Sequence, residues 1–237
     1  MPSTYKKLSI VIPVYNESAT IRDIVKLVLD IPLPAGLDRE IVIVDDGSTD
    51  GTREILASFD DPRIHIHLKK RNEGKGSAMK VGFENVSGDL VIVQDADLEY
   101  DPKEYPKLLK PILDGRADVV YGSRYLTSHE HRVLYYYHTV GNHMLTILSN
   151  LVTNLNLTDV ATCYKAFRRE ILDKISLEEK GFAFDPEITA KLSKMKARIF
   201  EVSISYYGRT YEEGKKINLR HVPPYLWAIL KYNLFRR

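Results

Sequence analysis

The stretch Val91-Ile92-Val93-Gln94-Asp95-Ala96-Asp97-Leu98-Glu99 decides how the rest of the chain is read, because an apolar run delivers two carboxylates, one residue apart, to its carboxyl end. A continuous Val/Ile run reads as a strand buried on both faces. Residues i and i+2 of a strand point to the same side, so the pleat predicts Asp95 and Asp97 aimed at one point with Ala96 turned away. A hard cation such as Mg²⁺ or Mn²⁺ takes one or two protein carboxylates and lets substrate phosphates complete its shell. Taken alone, an acidic pair in a turn reads first as solvated or capping groups.

Two further apolar runs change that balance. Leu8-Ser9-Ile10-Val11-Ile12-Pro13 and Ile41-Val42-Ile43-Val44-Asp45-Asp46-Gly47-Ser48 also stop in polar, turn-forming residues. Between them Ile21, Ile24, Val25 and Val28 fall at i, i+3, i+4 and i+7, with Glu17 or Ser18 near the start of a helix. Strand, helix, strand, helix predicts an α/β fold with a mostly parallel sheet flanked by helices. In such sheets ligands bind beyond the carboxyl ends of the strands, where Asn16-Glu17, Asp45-Asp46 and Asp95-Asp97 all belong.

These residues carry a resemblance. Pro13-Val14-Tyr15-Asn16-Glu17, the run Val44 to Thr52, Arg71-Asn72-Glu73-Gly74-Lys75-Gly76, Asp95-Ala96-Asp97 and Tyr121-Gly122-Ser123-Arg124-Tyr125 match, in order and spacing over roughly residues 8 to 126, a family 2 glycosyltransferase of the GT-A (Rossmann-like) fold. Within that family the chain resembles the dolichyl-phosphate mannose synthase and polyprenyl-phosphate glycosyltransferase group. Arg209, Gly214 and Lys215 are similar to that group's Arg, Gly, Lys loop, although Gly214 stands where the group has a Ser before the lysine. The resemblance implies a glycosyltransferase domain over 1–221, a single domain followed by an amphipathic C-terminal segment over 222–237.

It also implies roles. Asp97, with Asp95 and Glu99, would hold Mg²⁺ or Mn²⁺ against the diphosphate of a nucleotide-sugar, as a Lewis acid for the leaving group. Pro13, Tyr15, Glu17, Asp46, Lys75, Asp95 and Ala96 resemble the nucleotide-sugar pocket, while Asp50 reads as a turn and helix cap. A lipid-phosphate acceptor is already an anion and needs cations to hold it rather than a strong base, which points to Arg124, Arg209 and Lys215. A sugar-hydroxyl acceptor would instead need a general base, with Asp159, Asp185 and Glu187 as candidates. The last two also read as helix-start acids. The implied activity is inverting, metal-dependent transfer of a GDP- or UDP-linked hexose to a polyprenyl phosphate at the cytoplasmic membrane face. The rivals are transfer to a sugar hydroxyl and a silent nucleotide-sugar-binding subunit of a membrane complex. A dehydrogenase is disfavoured, since no G-x-G-x-x-G follows the first apolar run.

Composition agrees. At 237 residues and 44% hydrophobic content one sizeable core is expected, and a net charge of +2 carries no nucleic-acid signature. The single Cys163 cannot pair internally, suits a reducing cytoplasm and reads as a small buried filler. Met1 to Lys7 is too polar for a signal peptide. No run reaches the roughly 20 apolar residues of a membrane span. Val140, Met144, Leu148, Leu151 and Leu155 instead form one stripe of an amphipathic helix, and Pro223 to Arg237 is short, aromatic and closed by two arginines. Such segments either lie in a bilayer interface, giving peripheral attachment directly or through a membrane-embedded partner, or pack on the core. His131, His138 and His143 form no metal-ligand spacing.

Overall fold

The structure is a computed structural model that describes residues 5–126, 132–133, 135–210, 212–214, 216 and 219–235. The three apolar runs form strands as expected, β1 (Lys7–Val14), β2 (Asp38–Asp45) and β4 (Leu90–Val93), and four further strands join them, β3 (Ile64–Leu68), β5 (Val119–Ser123), β6 (Lys165–Arg168) and β7 (Ile199–Ser203). They make one sheet in the order β3-β2-β1-β4-β6-β5-β7. β1 runs parallel to β2 and β4, β2 to β3, and β5 to β7, while β6 alone is antiparallel to both neighbours.

The period of two along β1 sorts side chains to opposite faces. Leu8, Ile10 and Ile12 join a core formed with α1 (Ile21–Asp30) and α4 (Tyr105–Leu113), whose Ile24, Val28, Leu108 and Ile112 are fully buried. Val11 joins a second core with α3 (Lys75–Glu84), α7 (Phe184–Lys194) and α8 (Val222–Leu230). With α2 (Thr52–Ala57) and α6 (Arg169–Leu172) completing the connections, both faces of the sheet are covered within a single α/β domain. The fold class expected from the sequence is the one observed.

The helix α5 (Tyr136–Thr153) departs from expectation. Its buried residues are polar, Thr146, Ser149 and Thr153, whereas Tyr137, Met144, Ile147 and Leu151 are 85%, 67%, 59% and 75% exposed. The polar face is used. The Thr146 hydroxyl accepts from the backbone N–H of Val160, and the Asn150 amide brackets Leu157 with one bond to its N–H and one to its carbonyl. The inward face therefore pins the turn after the helix, and the apolar stripe splits, with Val140, Leu148 and Leu155 half-buried and the rest outside. In α8 and the turn Lys231–Phe235, Tyr225, Ala228, Ile229 and Tyr232 are buried, while Trp227 and Phe235 stack outside with ring centroids 6.0 Å apart. No helix among the described residues is long and apolar enough to cross a membrane.

Candidate active site

β4 stops at Val93, so Asp95 and Asp97 lie beyond the strand, in a turn where Leu98 takes a left-handed φ of 63°. The pleat therefore does not aim the pair. The turn does, and it sends the two carboxylates to different partners. Ala96 is buried in the core.

Asp97 faces Arg209, which arrives from the far end of the chain. The guanidinium donates to Asp97 Oδ2 at 3.3 Å and to both oxygens of Glu17, at 3.0 and 3.2 Å, across 192 residues of sequence. The Arg209 backbone N–H donates to Glu99 Oε1 at 2.7 Å and the Tyr206 hydroxyl to Glu99 Oε2 at 2.9 Å. Lys216 adds a second cation on Glu17, at 2.6 Å, donates to the carbonyls of Tyr15 and Asn16, and lies 5.8 Å over the Tyr15 ring. Burial opposes the Glu17 charge, but the bonds from Arg209 and Lys216 outweigh it and hold its carboxyl below the usual range. Pro13, at the end of β1, is half-buried.

Asp95 faces Lys75, whose Nζ donates to its Oδ1 at 2.5 Å and to Cys163 Sγ at 2.9 Å. Lys75 opens α3 after a turn that packs on residues 179–181. A Cβ at Gly74 would stand 2.6 Å from the Lys180 carbonyl oxygen, and one at Gly76 would stand 2.2 Å from that of Glu179. Both glycines are explained by this close backbone approach. Asp46 holds the same turn from the other side, accepting from the N–H groups of Glu73 and Gly74 and from Lys69 at 2.5 Å. Asp50 caps α2 by accepting from the Thr52 N–H, in line with its sequence reading.

Arg124 and the three candidate bases each have a charged partner. Arg124 makes a two-pronged bond to Asp159, with both contacts at 2.7 Å, and sits between the rings of Tyr206 and Tyr125. Burial opposes its charge, but Asp159 outweighs that and raises its pKa. Asp185 is buried against Lys165 at 2.5 Å. Glu187, fully buried, accepts from the N–H groups of Glu178 and Glu179 at 2.8 Å and from Lys191 at 2.5 Å. Asp185 and Glu187 do fall in the first turn of α7, as the helix-start reading has them, but their carboxylates bind Lys165, the Glu178 and Glu179 N–H groups and Lys191. Lys215 and His131 lie outside the described residues, as do Arg236 and Arg237.

The donor chemistry suits a hard divalent cation. Burial, then the Asp95 and Glu99 charges, push the Asp97 carboxyl up to about 7 against the pull of Arg209 and Lys75. A carboxylate so short of positive charge is one that a dication would relieve. Among the described residues no three His, Cys, Asp or Glu side chains converge in a ligating cluster, since Glu99 is engaged by Tyr206 and Arg209. Asp97 and Asp95 remain, and one or two carboxylates suffice when phosphate oxygens complete the shell. Sequence reasoning missed Lys216, Tyr206 and Lys165. Their only signal is spatial, because each meets its partner across 199, 107 and 20 residues of chain respectively.

A family model, glycosyl transferase family 2, matches residues 9–176. The undecaprenyl-phosphate 4-deoxy-4-formamido-L-arabinose transferase of Yersinia enterocolitica serotype O:8 / biotype 1B is 32% identical over 213 residues, which are 89% of this chain and 62% of that protein. Its namesake from Aeromonas hydrophila subsp. hydrophila is 29% identical over 89% of this chain and 63% of its own length. The chain thus spans about three fifths of the length of these curated relatives. Among solved structures, glucosyl-3-phosphoglycerate synthase from Mycobacterium tuberculosis, in complex with Mn²⁺, uridine diphosphate and phosphoglyceric acid, superposes with a TM-score of 0.73 at 21% identity, over 98% of this chain and 78% of that one. The likeness is one of fold.

Proposed function

The chain belongs to glycosyl transferase family 2, and from that membership we propose that it transfers a hexose, with inversion, from a UDP- or GDP-linked donor to a polyprenyl phosphate. The observation that carries the reading is the cluster at the carboxyl edge of the sheet, where Asp97, crowded by Asp95 and Glu99, shares one guanidinium with Glu17. Asp97 and Asp95 would hold Mg²⁺ or Mn²⁺, which when bound stabilises the departing diphosphate as a Lewis acid. Tyr15, Pro13 and Ala96 line the nucleotide-sugar pocket, and Glu17, Asp46 and Lys75 shape it through the partners described above. Arg209, with Lys215 and Arg124, holds the phosphates of donor and acceptor beside each other. An acceptor phosphate oxygen then forms the new bond at the anomeric carbon on the face opposite the breaking bond to the diphosphate.

The choice of a phosphate over a sugar-hydroxyl acceptor is supported by the state of the candidate bases. A hydroxyl needs a free carboxylate to take its proton. Asp159, Asp185 and Glu187 are each buried and committed to a cation or to backbone N–H groups. The relatives' names point the same way, as both act on undecaprenyl phosphate. Attachment is peripheral, at the cytoplasmic membrane face, through the outward apolar residues of α5 and of the C-terminal segment.

The test is transfer from UDP- and GDP-hexoses, with Mg²⁺ or Mn²⁺, to polyprenyl phosphate and to a free glycan. Product on the lipid phosphate alone is the expected result. Transfer to the glycan only returns the hydroxyl rival, and no donor turnover with any of them leaves the silent-subunit reading.

A further inference from the structure

Behind Asp95 two ion pairs stand in line. Lys75 Nζ is 2.5 Å from Asp95 Oδ1, and Lys165 Nζ is 2.5 Å from Asp185 Oδ1. Between them lies the Cys163 sulfur, 2.9 Å from Lys75 Nζ and 4.0 Å from Asp185 Oδ2. Every member is buried or nearly so, with side-chain exposures of 14% for Lys75, 12% for Asp95, 1% for Lys165 and 3% for Asp185. We infer that Lys75 is a positioning residue for Asp95, and that the Cys163 thiol fixes Lys75 by joining it to the Asp185–Lys165 pair. This rests on the reading that Asp95 meets the donor.

The chemistry of the thiol suits the task. A neutral S–H, unlike a thiolate, can accept from an ammonium N–H while donating to a carboxylate. A thiolate would compete with Asp95 for Lys75, and an alkyl group would leave the ammonium free to swing. Lys165 is itself fixed, donating to the Thr162 carbonyl and lying 4.8 Å over the Tyr121 ring. The chain of contacts therefore runs from the sheet interior to the Asp95 carboxylate, and it occupies Oδ1 while setting the direction of Oδ2. Cys163 is more than a small filler, and Asp185 acts as an anchor rather than as a base.

A double-mutant cycle on the full chain tests this, with calorimetric binding of uridine diphosphate or guanosine diphosphate in the presence of Mn²⁺ as the readout. Lys75→Met and Cys163→Ala are each expected to weaken binding, by about tenfold and by roughly three- to tenfold, the size of one typical net hydrogen bond. In the Lys75→Met background Cys163→Ala should add less than about 1.5-fold, because its effect passes through the missing ammonium. Cys163→Ser, which keeps a donor and an acceptor, should recover most of the loss. The same four proteins melted without ligand probe the contact itself, and their Tm shifts should be non-additive.

Equal effects of Cys163→Ala in both backgrounds, or additive Tm shifts, overturn the positioning role and return the thiol to a packing group. A parent protein that binds neither nucleotide, while the Tm cycle stays non-additive, overturns the donor reading and leaves the linkage standing.

Discussion

At the amino-terminal end of β5, Asp118 accepts from Arg198 at 2.7 Å, from Arg168 at 2.9 Å and from the Arg198 backbone N–H at 2.9 Å, and the Arg198 bond leads in holding its carboxyl down to about 2. Beyond the carboxyl end of β4, Asp97 has one guanidinium at 3.3 Å, shared with Glu17, and burial beside Asp95 and Glu99 pushes it up to about 7. The same side chain is thus oversupplied with positive charge at one end of the sheet and short of it at the other. A carboxylate held by two arginines stabilises the fold. One left short of cations is stabilised by whatever brings them, which is how a ligand site differs from a structural ion pair.

The contrast is broken most directly by removing each aspartate. Asp97→Ala should lower transfer about a thousandfold, the scale of a lost electrostatic element in a transition state, with a Tm at pH 8 no lower than the parent's. The sign follows from its raised pKa, because the favourable contribution of such a group is present below the unfolded value and is lost as pH rises through about 7. Full activity in Asp97→Ala, or in excess chelator, would sink the assignment. Arg209→Ala comes next. Removing a cation from a desolvated phosphate site costs about 2 to 5 kcal/mol, so transfer should fall by tens-fold or more while Asp118 and its arginines keep the fold intact. A loss of less than about threefold would mean that Arg209 serves the carboxylates around it and not a phosphate.

The sequence disclosed the charge-poor end far better than its surroundings. Apolar runs and strand-end acids made the sheet and the edge holding Glu17, Asp95 and Asp97 legible, because period and turn chemistry are local properties. Lys216 on Glu17, Tyr206 on Glu99 and Lys165 on Asp185 were not legible. Each depends on how distant segments meet, and lone lysines and tyrosines carry no pattern. The pleat argument for Asp95 and Asp97 failed for a related reason, since the strand ended early and a left-handed Leu98 set the turn. In α5 the periodicity announced an apolar stripe without saying that hydrogen bonds to Leu157 and Val160 would turn the polar face inward.

The structural end of the comparison is sharpened by pH. The Asp118 pKa of about 2 lies below its unfolded value of 3.8, so its contribution is fully present above 3.8 and is lost as pH falls through about 2. With Arg198 half exposed and screened, that contribution is about 1 to 2 kcal/mol. Denaturant unfolding at pH 5 and at pH 2.5 should show Asp118→Asn destabilised by this amount at the higher pH and by only about a third of it at the lower. Transfer at pH 7.5 should be unchanged. A pH-independent difference would place the cost in packing rather than in charge.

The smallest effect on stability belongs to a surface unlike either end, the outer face of α5, whose helix carries no Asp, Glu, Lys or Arg. Met144, Ile147 and Leu151 are already exposed, so changing them to Ser should cost no more than about 0.5 kcal/mol each. Vesicle binding should respond far more, because burying each such side chain in a bilayer contributes roughly 1.5 to 3 kcal/mol. The triple variant, and separately Trp227→Ser with Phe235→Ser, should therefore keep their melting temperature and lose co-sedimentation with anionic vesicles. Point changes are the sharper tool here, since truncation before α8 would strip Tyr225, Ile229 and Tyr232 from the core and confuse unfolding with detachment. Undiminished sedimentation of both variants would show that this flank meets another protein chain, and a marked fall in Tm would show that the exposed residues are covered by residues of this chain.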